Sequence, residues 1–416
     1  MTTLIDDLLK LGQHLDKKNE ERYKAVSKER TFHDIERIIK NHALNMVAAA
    51  KACGMNRVTF KAKYDEAVKL GVIDEVLKPN SSSYLFTLKH MHALMDWLKL
   101  PKWSDKNYET HVINSQNQKG GTGKSTTLIT LAAGLSLLLG ERLKILVIDL
   151  DPQGSLRKYL LPHQEYAFDI LTAVDIMLGE DESDGLYQEY LDDGLSHEEI
   201  LKSSIHETHI PNLHVLPSFS EDERFSQAAW MHFAKTGDLK HVKLLKEKII
   251  NSVKDDYDVI FLDTGPHINP LVWSAQYAST GMLVPFSPKE LDWHSTSQFL
   301  RNLPHQLMQT LPNKGENIEW LKVLATNCNA EFNRDQKVLS ASREALASGE
   351  WMFPARMINS QAFEAAAQNN CTVFDIKKVE KLCPDKQLDK IKPYTDILIN
   401  EFLGFIESKS KVKADE

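Results

Sequence analysis

Cysteine is scarce here, and the four present, Cys53, Cys328, Cys371 and Cys383, are scattered without a CxxC pair. That pattern offers no motif for an iron–sulfur cluster and suggests reduced thiols in a cytosolic protein. Long apolar runs are missing too, so no transmembrane helix is expected. The N-terminus lacks the basic flank and apolar core of a secretory signal. What is present, 42% hydrophobic and 26% charged residues in 416, is the composition of a soluble globular protein with two or three domains. Positive charge is in deficit overall, with a net charge of −8, which argues weakly against nucleic acid. Residues 1–100 nevertheless hold 17 Lys and Arg against 13 Asp and Glu, and the local balance governs contact with phosphates.

The stretch 116–127, Gln-Asn-Gln-Lys-Gly-Gly-Thr-Gly-Lys-Ser-Thr-Thr, follows the strand-like Val112-Ile113-Asn114-Ser115 and precedes apolar residues at helical spacing, Leu128, Leu131, Ala132 and Leu135. Strand, glycine loop and helix, in that order, make the setting of a phosphate loop. Gly120, Gly121 and Gly123 leave the backbone free to aim N–H groups at phosphate oxygens, and the helix adds the positive end of its dipole. Lys124 supplies charge for the β- and γ-phosphates, and the Ser125 hydroxyl suits Mg²⁺.

From His111 onward, apolar strand-like runs alternate with helical patterns, which means βαβ units and a mostly parallel sheet covered by helices on both faces. The runs are His111–Ser115, Lys144–Asp149, Leu213–Pro217, Asp258–Asp263, Gly281–Pro285 and Leu321–Thr326, with a shorter one near Val373-Phe374. Ligands bind at the carboxyl ends of such strands. Two of those ends carry acids, Asp149-Leu-Asp151-Pro-Gln-Gly and Asp263-Thr-Gly265-Pro. A carboxylate beside a γ-phosphate orients water or holds the metal.

The string Lys119-Gly-Gly-x-Gly-Lys-Ser resembles the deviant Walker A loop of the ParA/MinD ATPases, and Asp149-x-Asp151-Pro-Gln-Gly resembles their switch I. The resemblance covers about 300 residues, from His111 to the last helix. It implies a P-loop NTPase fold in which ATP or ADP, with Mg²⁺, binds at residues 119–126: Lys119, Gly120, Gly121, Thr122, Gly123, Lys124, Ser125 and Thr126. It further implies that Lys119 reaches the nucleotide of a second subunit in an ATP-dependent sandwich dimer. Asp151 would help position the attacking water, Asp149 would lie near the metal and its water shell, and Asp263 would hold Mg²⁺. Asn327 stands where the family has a base-contacting asparagine, or else it caps a loop. The family usually has proline at the place of Gly265, whose N–H is free to donate to a phosphate instead.

Ahead of this lies a helical region. Leu4, Leu8, Leu11 and Leu15 alternate four and three apart, and two heptads either pair with a second subunit or dock on their own domain. Residues 45–64 read as helix, tight turn, helix, with Asn45 and Asn56 as caps, Gly54 in the turn, and Met55, Val58 and Phe60 holding the pair together. Arg57, Thr59, Lys61 and Lys63 are then left on the outside, as in a helix that meets the major groove. The competing reading is an ordinary αα-hairpin with a basic face. Lys78-Pro-Asn-Ser-Ser82 looks like a hairpin tip, which would make the unit winged. The division expected is a helix over 1–30, a helix-turn-helix domain, all-α or winged, over 31–104, an ATPase domain over 105–407 and a frayed tail over 408–416. Pro101-Lys-Trp-Ser-Asp-Lys is the linker, and the acidic stretches at 180–185 and 192–194 read as solvated loop.

ParA proteins bind nonspecific DNA with basic residues of the C-terminal third. By resemblance, Arg334, Arg356, Lys377 and Lys378 are carried over for that task. The last helix carries Asp396, Glu401 and Glu407, which favours packing on the body over membrane binding. The functional expectation is a cytoplasmic, nucleoid-associated partition ATPase. It would be slow alone, stimulated by a ParB-like partner, bound to DNA as a dimer or a polymer, and an autorepressor. The alternative is a repressor whose ATPase core only senses nucleotide.

Overall fold

A computed structural model describes residues 4–5, 8–15, 17–18, 33–78, 83–161, 170–329, 332–347 and 349–414. The N-terminal helices are α1 (His33–Asn41), α2 (Met46–Ala52), α3 (Arg57–Lys69) and α4 (Leu88–Trp97). Eight strands follow: β1 (His111–Ser115), β2 (Ile145–Leu150), β3 (His206–Glu207), β4 (Leu213–Leu216), β5 (Val259–Thr264), β6 (Gly281–Phe286), β7 (Trp320–Cys328) and β8 (Met352–Ile358). They form one sheet in the order β3-β4-β2-β5-β1-β6-β7-β8, parallel except for the short β3–β4 pair. Helices that matter below are α5 (Lys124–Ser136), α6 (Ser155–Leu160), α7 (Arg224–Thr236), α8 (Pro270–Ala278), α9 (Glu290–Thr310), α10 (Asn333–Ala345), α11 (Gln361–Gln368) and α12 (Asp385–Lys409).

The central strands are apolar at almost every position because both faces are covered. Side chains alternate: Ile145 and Val147 of β2 join Leu128, Leu131 and Phe402 of α5 and α12 in one core, while Leu146 and Ile148 join Leu271 and Ala275 of α8 in another. β1 runs near the middle of the sheet, between β5 and β6, so the loop after it opens near the centre.

In the N-terminal region the side chain of Asn45 accepts from the N–H groups of Val47 and Ala48, and that of Asn56 from Thr59. The two helix starts are thereby capped as their sequence required. Phe60, Tyr64 and Phe86 meet edge to face. Val58 does not hold the pair together: it is 80% exposed, and the packing falls to Ala49, Ala50 and Phe60. Bridges Leu44–Phe86 and Leu77–Leu85 bring three short extended segments together, and the expected hairpin tip at 79–82 lies outside the described residues. Leu4, Leu8, Leu11 and Leu15 are 50% exposed or more, so this stripe is not docked on its own domain.

Several expectations are corrected. The acidic residues at 182–185 and 193–194 do form solvent-facing turns, but these are short links between the helices Ala173–Leu178, Leu186–Asp192 and His197–Ser204, whose Leu178, Tyr187, Ile200 and Leu201 are buried. Glu182, with Asp175, holds Arg224 of α7. Val373-Phe374 is a turn, not a strand. The linker is packed: Trp103 is buried, and its N–H donates to the Glu141 carbonyl. The tail is not frayed over its described part. α12 runs to Lys409, and Val412 then bridges Tyr108, with the Lys413 N–H donating to the Asn107 carbonyl. Among the described residues no helix is long and apolar enough to cross a membrane.

Candidate nucleotide site

Parallel pairing brings the carboxyl ends of β1, β2, β5 and β7 to one edge. Asp149 and Asp263 are direct neighbours across β2 and β5, and Ser115 is level with Asp263 on the other side. The Thr264 hydroxyl donates to the Ser115 carbonyl at 2.9 Å, which ties the end of β5 to the strand that feeds the loop. The loop then turns through Gly121 and Gly123, both with positive φ. Gly123, at φ 81°, is the residue from which α5 starts; a side chain there would strain the turn that aims the helix end at the site. Across the loop, the Thr326 hydroxyl of β7 donates to the Thr122 carbonyl at 2.6 Å.

Lys124 is the first residue of α5 and is only 8% exposed. Burial lowers its pKa, and Asp263 and Asp151 act against that. Asp263 is fully buried, and among the described residues neither of its carboxylate oxygens has a hydrogen-bond partner of good geometry. Burial pushes its carboxyl up to about 7; the Ser125 hydroxyl and the Lys124 ammonium draw it down, and Asp151 adds to the rise. Asp149 is also raised well above the ordinary value, by burial first and by Asp263 second. Two adjacent buried carboxylates, one of them without a hydrogen bond of good geometry among the described residues, form a donor set that suits a divalent cation.

Asp149 serves as an anchor for the loop after β2. Its oxygens accept from the N–H groups of Asp151, at 3.1 Å, and of Leu156, at 3.3 Å. The Ser218 hydroxyl donates to the Asp151 carbonyl at 2.6 Å. Gly154, with φ 59°, sits so close to Ser218 that an added Cβ would lie 2.8 Å from that residue's carbonyl oxygen. Asp151 is thereby aimed toward Gly265, whose Cβ position is 3.5 Å from Asp151 Oδ1. A cleft of about 390 Å³ lies between the two loops, lined by Asp151, Gln153, Glu223, Gly265, His267 and Asn269 among others.

Lys119 is 44% exposed, on the outer arc of the loop, with its ammonium 4.0 Å from Asp292 of α9. Gly120 and Gly121 are exposed beside it, while Thr122 is buried; Ser125 and Thr126 are half-buried. Asn327 belongs to β7 instead of following it; it has φ 51°, and its Oδ1 accepts from Asn359.

The residues expected to meet DNA fall in separate places. Arg57 and Thr59 are exposed at the start of α3. Lys61 pairs with Asp65 and Lys63 with Glu66; the two lysines lie over Tyr84 and Trp97 and are half-buried. Arg334 is exposed on α10. Arg356 lies inside β8, with its guanidinium 5.7 Å from the Tyr394 ring. Lys377 is exposed, and Lys378 pairs with Asp389 of α12.

The model of a family described as "AAA domain" matches residues 110–314. The chain is 29% identical over 275 residues to the plasmid partition protein A of Escherichia coli, across 64% of this chain and 65% of that protein, just under two thirds of its length. It is 28% identical over 232 residues to the sporulation initiation inhibitor protein Soj of Bacillus subtilis, across 55% of this chain and 77% of that one. A solved structure titled "Partition Protein" shares the fold, with a TM-score of 0.60 at 24% identity, over 89% of this chain and 98% of the other. With its P-loop fold, its Lys-Gly-Gly-x-Gly-Lys-Ser loop and the paired acids at the ends of β2 and β5, this chain carries the fold and the loop motif of the ParA-type partition proteins to which it is similar.

Proposed function

We propose that this protein is an ATP-dependent partition ATPase that segregates a replicon. The reading is carried by one observation: a fully buried Asp263, without a hydrogen bond of good geometry among the described residues, beside Lys124 and Ser125 and under a glycine loop whose Lys119 is left on the outside. ATP is the substrate, bound by residues 119–126. Mg²⁺ would be held by Ser125 and Asp263 and, when bound, neutralises phosphate charge. Asp149 fixes the loop that carries Asp151, and Asp151 orients the attacking water. Lys119 bridges to the nucleotide of a second copy, so the ATP form is a dimer and the ADP form is not. Asn327 contacts the base.

The dimer presents basic residues, Arg334, Arg356, Lys377 and Lys378, to duplex DNA of any sequence. Phosphate contacts of that kind weaken steeply with salt. Arg57 and Thr59, with Lys61 and Lys63 behind them, form the surface that reads an operator. A ParB-like partner stimulates hydrolysis and releases the DNA. Turnover alone is slow on this reading, because the sequence offers no evident arginine finger to stabilise transition-state charge.

The test is DNA co-sedimentation with ATP, with ADP and with Lys124→Gln. Bulk DNA should be pelleted with the protein in ATP only and not with the variant. Arg57→Ala and Arg334→Ala distinguish this from the repressor reading. Loss of operator binding in the first variant, with ATP-dependent bulk binding retained, supports partition; loss of all DNA binding in that variant favours the repressor.

A further inference from the structure

We infer that Asn117 is a positioning residue that sets the direction in which Lys119 leaves the loop; this rests on the reading that Lys119 acts across a dimer. Asn117 is fully buried, and its carboxamide is used on every side. Its Nδ2 donates to the Pro285 carbonyl of β6 and to the Thr296 hydroxyl of α9, each at 2.9 Å. Its Oδ1 accepts from the Lys119 N–H at 3.0 Å. One buried side chain therefore references the backbone of Lys119 to a strand and a helix that lie far away in sequence.

The rest of the arc offers little restraint. A Cβ added at Gly120 or Gly121 would meet nothing within 4 Å. Among the described residues, the one other side-chain bond to Lys119's own backbone is from the Thr122 hydroxyl to the Lys119 carbonyl, at a long 3.3 Å. The frame and the lysine also share α9: Thr296 is one turn after Asp292, whose carboxylate faces the Lys119 ammonium. A backbone held at its N–H by a rigid, buried group gives a long side chain a fixed origin, which lowers the entropy lost when the ammonium finds a partner. The residue type matters. Aspartate would lose both donors, and alanine would orphan the Lys119 N–H and the Thr296 hydroxyl.

The test compares Asn117→Ala, Thr296→Val, Lys119→Ala and the double variant Asn117→Ala/Lys119→Ala in the full chain. ATP-dependent dimerisation is read by sedimentation velocity, ATP affinity is read at protein concentrations too low for dimers, and amide exchange is read at residues 119 and 124. Asn117→Ala should weaken dimerisation roughly tenfold, by the loss of one buried bond and the orphaning of its partners. Its monomer should keep ATP affinity within about threefold, the change of a distant or weak contact. The exchange of the Lys119 amide should speed at least about tenfold with that of Lys124 unchanged. Thr296→Val should shift both readouts the same way but less. The double variant should be no worse than Lys119→Ala alone. Additive losses in the double variant, a fall in monomer ATP affinity as large as the fall in dimerisation, or unchanged exchange at residue 119 would each overturn the assignment. Should Lys119→Ala alone leave dimerisation intact, the cross-subunit role fails, and the exchange measurement still decides whether Asn117 holds Lys119.

Discussion

Two fully buried carboxylates, Asp263 under the phosphate loop and Asp375 at the junction with the N-terminal helices, differ in everything but burial. Asp263 has no hydrogen-bond partner of good geometry among the described residues, and its carboxyl is pushed up to about 7. Asp375 is gripped from three sides. Its oxygens meet His42 Nε2 at 2.6 Å and His209 Nε2 at 3.0 Å, and accept from the Thr372 N–H at 2.6 Å. Burial alone would raise the Asp375 carboxyl, but His209 and His42 overrule it and hold it well below the usual range. On the proposed reading the first is a ligand for Mg²⁺; the second is architecture. A buried charge left unpaired costs free energy, and a fold retains that cost where a ligand repays it.

The junction around Asp375 does more than satisfy one acid. Asn41 donates to the Asp375 carbonyl at 2.8 Å and to Glu380 at 2.7 Å, and Arg37 pairs with Glu380. Ile38 of α1 is buried with Ile358, Ala362 and Ala365. α1 is therefore fastened to the ATPase body, on the segment that carries Lys377 and Lys378.

The contrast between the two acids can be broken in order of effect. Asp263→Asn should reduce ATP hydrolysis by a factor of about 10² or more, the scale of losing a principal electrostatic contact at a reacting phosphate. In nucleotide-free protein the same change should leave thermal stability unchanged or raise it, because an orphaned charge is removed. A large drop in melting temperature would make Asp263 a structural acid like Asp375. Asp375→Asn should do the reverse: a loss of about 3–5 kcal/mol in denaturant unfolding, as when one partner of a buried pair is removed, with ATP affinity of the surviving fold little changed.

The pH dependence follows from the depressed folded-state pKa of Asp375. The unfolded chain binds its proton first, near pH 4, so the stabilisation is fully present above that pH and is lost as pH falls toward the folded value. Wild-type stability should therefore fall more steeply below pH 4 than that of Asp375→Asn; parallel curves from acid titration of the unfolding midpoint would contradict the assignment. The smallest effect is expected at the switch. Gly265→Pro removes the backbone N–H of a residue packed beside Asp151, and should lower turnover more than ATP affinity, by about 1 kcal/mol in barrier, roughly fivefold in rate. Unchanged turnover would remove that donor from the account.

What could be read in advance was what is written locally. The phosphate loop, the acids at the ends of β2 and β5, and six of the strands lie in short contiguous runs, and parallel pairing then leaves little choice about where their ends meet. The misreadings share a different cause. β3 is two residues long and antiparallel, below any periodic signal. β8 has Pro354 in its middle, so only its first half looks strand-like. The chain after α12 reads as polar tail, and its order depends on Tyr108 and Asn107, some 300 residues earlier. Asp375 carries no local signal, because its partners, His42 and His209, are 333 and 166 positions away. The same distance hid Asn117, whose frame is made by residues 168 and 179 positions further on.

The central claim is that a nucleotide gripped by Lys124 and Asp263 of one copy is also gripped by Lys119 of another. Sedimentation equilibrium of the full chain with Mg²⁺ and ATP, beside its Lys119→Ala variant, tests it directly. A dimer for the first and a monomer for the second, with equal ATP affinity at low protein concentration, is the expected result. A Lys119→Ala protein that dimerises as tightly as wild type would contradict it.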